Sequence, residues 1–373
     1  MRRESCMRVN LLCMFTGNSA TDDAQIYRNE LKLALDAEAM GFDRVMAVEH
    51  HFNDYAFCPD NAQFLSYVAA RTSRIELFPS AFILPWNDPV RVAEKITMLD
   101  YLSDGRAVLG IGRGLARKEF AAFRTSMSES RDRFDEAATM VLGALDTGFI
   151  EGEGPHYPQP RVEIRPRPFK SFVGRSYMVG TSPASVDVAA RLGLGAMKFA
   201  AAPWETAVDE VNRYRESFAS HHGTAAPPLV TGDVMVCHRN DKRGEELVRN
   251  HARNYYVSVL SHYELLSDHF KETLGSYAHY ASQAEAMRGT SEEAAFEGYL
   301  SANLWGDPSR ILDQLAKRRE LLGDFELGVS VNFGEIDFEV ALNSMRLFAD
   351  KVLPELKSWT STSDVAVDAT RAV

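Results

Sequence analysis

Eight short apolar runs, each followed by a stretch of helical period, constrain this chain more than any other feature. The runs cover residues 9–15, 44–48, 75–83, 107–112, 177–179, 196–199, 230–237 and 327–332. Runs of this length bounded by turn residues read as buried strands. Helical periodicity follows at 23–40, 64–72, 89–102, 130–145, 185–192, 204–221, 244–265, 308–322 and 338–354. Asp88 before Pro89 is a helix start, and Gly41, Gly193 and Gly323 are helix stops. Strands that alternate with helices predict a parallel sheet with right-handed crossovers. Eight of them close a (β/α)₈ barrel of the TIM type. A doubly wound open sheet is the competing α/β arrangement. Residues 266–306 carry scattered Tyr, Gly and Ser without a clear strand. Such an insertion before the last strand is a lid or surface decoration, and we expect a lid.

One barrel domain is expected over 7–357, with an N-terminal extension at 1–6 and a disordered tail at 358–373. The tail is rich in Ser, Thr, Ala and Asp. The net charge of -11 argues against a nucleic-acid partner. No apolar run approaches the length of a membrane span. Cys6, Cys13, Cys58 and Cys237 are spaced neither as a zinc site nor as a redox pair. A reducing, cytoplasmic location is therefore expected.

Barrel chemistry belongs at the C-terminal ends of the strands. The second strand runs into Glu49-His50-His51-Phe52. If strand geometry persists there, only one of the two imidazoles faces the mouth. An imidazole in that place can move a proton or hydrogen-bond a reactive group. A pair packed beneath a loop is the alternative. Glu49 and His50 point apart and no third ligand stands at suitable spacing, so no metal is expected. The fourth strand ends Gly110-Ile111-Gly112-Arg113-Gly114. Glycines 110 and 112 share a face and would leave backbone open to a flat ring. Arg113 could hold an anion with a forked pair of donors. The fifth strand leads into Gly180-Thr181-Ser182-Pro183-Ala184-Ser185. Its hydroxyls and the helix N–H groups suit a phosphate; simple N-capping explains them equally well. No nucleophile elbow, Walker loop or zinc motif competes, which fits chemistry supplied by a cofactor.

These residues resemble the bacterial luciferase-like flavin-dependent monooxygenase family, and within it the catalytic alpha subunit of luciferase. The shared stretches are Val48-Glu49-His50-His51-Phe52, Leu84-Pro85 with Asp88-Pro89-Val90-Arg91, Gly105-Arg106 and Gly112-Arg113-Gly114-Leu115. Gly152-Glu153-Gly154, Ala189-Ala190, Gly193-Leu194, Trp305-Gly306-Asp307-Pro308 and Ser344-Met345-Arg346-Leu347-Phe348 follow in the same order. The resemblance implies a (β/α)₈ barrel that uses reduced FMN and O2, the flavin coming from a separate reductase. It implies that His50 supports a flavin C4a-hydroperoxide. It puts Arg113, Ser182 and Ser185 at the FMN phosphate and the backbone around Ala81 and Leu115 against the ring, with Gly112 and Thr181 also counted among the cofactor-binding residues. It also implies a non-proline cis peptide between Ser80 and Ala81. The family pairs its subunits through the region of 89–102, whose apolar positions exceed one inward face, so a C₂ homodimer is expected.

The chain departs from luciferase beside the flavin. Gly112, Ala116, Thr181 and Ser185 stand where the alpha subunit has cysteine, tyrosine, glutamate and threonine. A different, small and apolar organic substrate is therefore expected in place of a fatty aldehyde. A deazaflavin-dependent dehydrogenase and a non-catalytic flavin-binding protein are the alternatives. The first needs an extended basic groove, and only Lys242-Arg243 and Lys317-Arg318-Arg319 are available for one.

Overall fold

A computed structural model describes residues 6–17, 21–180, 182–267, 270, 277, 280–282, 285 and 288–360. The parallel strands are β1 (Val9–Cys13), β2 (Arg44–Ala47), β3 (Glu76–Pro79), β4 (Phe82–Ile83) and β5 (Leu109–Gly112), then β8 (Ser176–Val179), β9 (Gly195–Phe199), β10 (Leu229–Cys237) and β12 (Phe325–Ser330). An antiparallel pair, β6 (Phe149–Gly152) and β7 (Gln159–Glu163), and a short β11 (Leu304–Gly306) complete the set. The parallel order is β3-β2-β1-β12-β10-β9-β8-β5-β4. Leu77 bridges Ala107, and Phe82 pairs with Ile111, which brings the two ends of the sheet together. The chain is thus an α/β barrel with eight staves, of the TIM type, and not an open sheet.

Each stave stands where an apolar run was read. The third is split: the run at 75–83 is interrupted at Ser80-Ala81, whose peptide bond is cis as expected. Helices with strong terminal signals keep their bounds. The helix Asp23–Met40 starts where the Asp22 carboxylate accepts from Gln25 N and stops at Gly41, which has φ 89. The helix Pro89–Leu102 starts where Asp88 accepts from Val90 and Arg91 N–H.

Several elements were not read from the sequence. The β6–β7 hairpin turns through Gly152-Glu153-Gly154. The helices Arg117–Ala122 and Glu292–Ala302 are two more. The insertion is therefore partly regular, because β11 also adds to the upper half of β10 through Met235–Cys237. Residues 358–360, which the sequence assigned to the tail, are among the described residues. Cys6 bridges Thr360 and Met7 N donates to Trp359 O at 3.2 Å, so 358–360 are tied to the extension. Thr181 and residues 361–373 lie outside the described residues.

The two ends of the barrel differ. At the N-terminal end of the staves, Arg44 is buried and donates to Glu76 Oε2 at 2.7 Å and to Tyr177 OH at 3.1 Å, with Glu326 beside it. Charges this buried persist when paired and hydrogen-bonded. At the C-terminal end the interior widens into a cavity. Gly105-Arg106 belongs to the scaffold: Arg106 donates to the carbonyls of Ile75 at 2.8 Å and Ala69 at 3.0 Å. Among the described residues no helix is long and apolar enough to cross a membrane.

Candidate active site

A cavity of about 500 Å³ opens at the C-terminal ends of the strands. Leu12, Ile83, Phe199, Trp204, Val234 and Val259 give it a largely apolar wall. His50, Ala81, Gly112, Arg113, Leu115 and Ser185 all line it, so six of the eight site residues expected from the sequence converge there. Ser182 is buried behind Ser185, the two hydroxyl oxygens 2.9 Å apart. Its side chain makes no N-cap bond to the helix Pro183–Arg191, so capping does not account for it. Thr181 is not among the described residues.

The histidine pair divides as strand alternation predicts, although β2 ends before it. His50 turns inward, its Nδ1 3.1 Å from Glu119 Oε1 and its Nε2 3.3 Å from Tyr263 OH. His51 turns the other way, 3.5 Å from Glu49 Oε1 and edge-on to Phe123. Glu49 also accepts from Trp86 Nε1 at 2.8 Å and Asn87 Nδ2 at 2.9 Å. Glu119 receives the backbone N–H of His51 at 2.8 Å as well. Burial alone would raise the Glu119 carboxyl; the charge and hydrogen bond of His50 outweigh it and hold the group below the usual carboxylate range. His262 lies 3.8 Å from the same oxygen and stacks on Tyr55. Burial first, and His50 second, push it down to about 3, so it stays neutral at physiological pH.

The two glycines of the fourth strand have separate roles. A Cβ on Gly110 would sit 2.1 Å from the Pro79 carbonyl oxygen, so glycine there lets two staves approach. Gly112 is the one on the cavity, facing Ile83 and Ala81. A face shared by both for a flat ring is therefore not what the barrel provides.

Arg113 carries the ring of Tyr277 at 4.2 Å. Tyr277 OH donates to Gly114 O at 3.2 Å and lies 2.9 Å from Ser130 Oγ. Phe270, Tyr277 and Tyr280 of the insertion thus pack on Phe120 and Met127, with Tyr277 against Arg113. Nearby stands a residue the sequence reading passed over. Arg131 Nη1 and Nη2 are buried without a hydrogen-bond partner. Burial first, and the charge of Arg113 next, lower its pKa. One signal was available: Arg131 occupies the first turn of the helix Ser130–Thr147, where the helix dipole disfavours a cation.

The sequence profile of the luciferase-like monooxygenases matches residues 7–324. The chain belongs to the luciferase-like monooxygenase family. Its family places it among oxidoreductases, as the motifs suggested. The alkanal monooxygenase alpha chain of Photobacterium leiognathi is 24% identical over 354 residues, covering 94% of this chain and 99% of that one. The crystal structure of monooxygenase RslO1 from Streptomyces bottropensis superposes with a TM-score of 0.77 at 27% identity, covering 94% and 99% of the two chains. The oxygenating constituent of a 3,6-diketocamphane monooxygenase of Pseudomonas putida, solved with FMN, gives 0.71 at 17% identity over 94% and 99%. An F420-dependent secondary alcohol dehydrogenase shares the fold at 0.69 and 15% identity, over 94% and 99%.

A luciferase-like flavin site needs an anion cradle and an open backbone surface beside an apolar space. Two orphaned guanidinium nitrogens of Arg131 near Arg113, the Ser182–Ser185 hydroxyl pair at a helix start and the bare Gly112 meet both requirements. The residues fit FMN.

Proposed function

We propose that this chain is the oxygenating component of a two-component monooxygenase. It takes reduced FMN from a separate reductase and uses O2 to oxygenate a small, apolar organic substrate. The observation that carries the reading is the polarity of one cavity: Arg113 and Ser185 on its lining, the His50–Glu119 pair elsewhere on it, and a largely apolar wall. Arg113, Arg131, Ser182 and Ser185 would hold the phosphate; Thr181, which the sequence also assigns to the cofactor, lies outside the described residues. Ala81, Gly112 and Leu115 would lie along the ring. Bound reduced flavin supplies the electrons that activate O2.

The chain's own work is to orient the reactants, keep water out and manage one proton. Glu119 favours His50 with a proton on Nδ1, which leaves Nε2 to exchange a proton toward Tyr263 and the cavity. The apolar wall suits a substrate without charge. The four cysteines are free thiols, in keeping with a cytoplasmic location. Met98, Tyr101 and Leu102 of the helix Pro89–Leu102, with Tyr67 beside them, are exposed apolar side chains that support a homodimer.

The test compares His50→Ala with the parent chain. Reduced-FMN affinity should stay within a few-fold, while product formed per flavin oxidised falls by about 10²–10⁴-fold. His51→Ala should act mainly through stability. Equal coupling in His50→Ala and its parent would overturn the role given to His50. Oxygen-independent hydride transfer with a deazaflavin in place of FMN would replace the whole reading by that of a dehydrogenase.

A further inference from the structure

Glu119 gathers two imidazoles that are distant in sequence. His50 follows β2, Glu119 lies in the helix Arg117–Ala122, and His262 ends the helix Asp241–His262. Oε1 of Glu119 is 3.1 Å from His50 Nδ1 and 3.8 Å from His262 Nε2. One ligand atom from each of the three falls within 4.8 Å of the others. His262 is 2% exposed, and its Nε2 is buried without a hydrogen-bond partner. Leaving a buried ring nitrogen unsatisfied is costly, and this one is turned toward the carboxylate. Orientation of His50 alone would need Glu119 but would not need a second imidazole with an unused nitrogen.

We propose that His50, Glu119 and His262 form a binding site for one divalent first-row transition ion, such as Zn²⁺ or Co²⁺, in the wall of the cavity. Ligand atoms about 2.0–2.2 Å from a tetrahedral ion stand roughly 3.3 Å apart, which the 3.1 and 3.8 Å separations bracket. Two imidazoles and one carboxylate prefer such ions over Mg²⁺ or Ca²⁺, which take oxygen ligands. His50 lines the cavity, so the fourth position opens to it. One neighbouring group would have to turn. Asn53 Nδ2 lies 2.7 Å from His262 Nδ1, while Asn53 Oδ1 accepts from Tyr55 N at 3.1 Å. Ligation through Nε2 puts the ring proton on Nδ1. The Asn53 amide must then turn to present its oxygen and give up the Tyr55 contact, as partners of metal-bound histidines commonly present a carbonyl.

An ion on Nδ1 would stop His50 from exchanging a proton, so metal loading and oxygenation exclude each other. That consequence rests on the proposed function; the binding does not. Flavin-free protein titrated with Co²⁺ should develop the visible absorption of a nitrogen-ligated ion, saturate at one equivalent and lose it to Zn²⁺. Glu119→Gln and His50→Ala should each weaken binding at least roughly tenfold. His221→Ala, at an exposed helix end, should leave it unchanged. His262→Ala serves as a third variant if its thermal transition stays cooperative; His50→Ala, at the cavity wall, disturbs packing less. No saturable Co²⁺ absorption, or equal binding in the parent and both ligand variants, overturns the site. Zn²⁺ binding with undiminished flavin-dependent turnover upholds the site and overturns the proton role of His50.

Discussion

Burial and the charge of Arg113 both disfavour the charge of Arg131. An anion bound beside Arg131 would relieve it. Arg113→Ala and Arg131→Ala should each weaken FMN binding by about 10- to 100-fold, the loss of one charge-assisted contact. Fluorescence titration of FMN checks this, and riboflavin, which lacks the phosphate, should bind parent and variants alike. A second residue ties stability to pH. Burial raises Glu30 from 4.5 to about 7, against hydrogen bonds from Asn332, Cys13 and the Phe15 backbone. The fold therefore prefers the protonated acid. Its contribution is complete below pH 4.5 and is lost as pH rises through about 7. Glu30→Gln should lose less stability than the parent between pH 5 and 8 in denaturant titrations, by up to about 1.4 kcal/mol per pH unit across the window. Equal losses would show that Glu30 does not titrate in the fold. The orientation of His50 was legible because alternation needs only neighbours in sequence. Glu119 and His262 were not: what makes them partners is the closure of the barrel, which brings residues 69 and 212 positions from His50 to one spot.

Tyr277 links the insertion to the site: its ring covers the Arg113 guanidinium and its hydroxyl reaches Gly114 O. A cation–π contact of this kind contributes about 0.5–2 kcal/mol. Tyr277→Ala should therefore speed FMN dissociation several-fold and change association little, as stopped-flow fluorescence would read. An unchanged dissociation rate would make the insertion decoration. Elements with local terminal signals were legible to the residue, as Asp22 and Gly41 show for the first helix. Those that depend on partners far away were not. β11 is three residues long and exists because β10 extends past the ring. The helix Glu292–Ala302 did announce itself, through Ser291, whose hydroxyl accepts from Ala294 N at 3.2 Å. The scattered tyrosines around it hid that signal.

Across the whole molecule, the count of eight staves was the most secure reading, since closure follows from number and alternation. The surface on which the expected dimer would rest differs from the one read in the sequence. Val92, Ala93, Ile96 and Leu99 face inward, and the outward patch is instead Met98, Tyr101 and Leu102. Tyr101→Glu combined with Met98→Glu should convert a dimer into a monomer in light scattering at micromolar concentration. A monomeric parent chain would remove the expectation. The floor of the barrel has a different consequence. Arg44, Glu76, Tyr177 and Glu326 form a paired charge cluster at the N-terminal end of the staves, while the large cavity opens at the opposite end. On the proposed function, cofactor, oxygen, substrate and product would then share one rim. The order in which they load becomes a property of traffic at that doorway, and a slow-leaving product would hold up the next flavin.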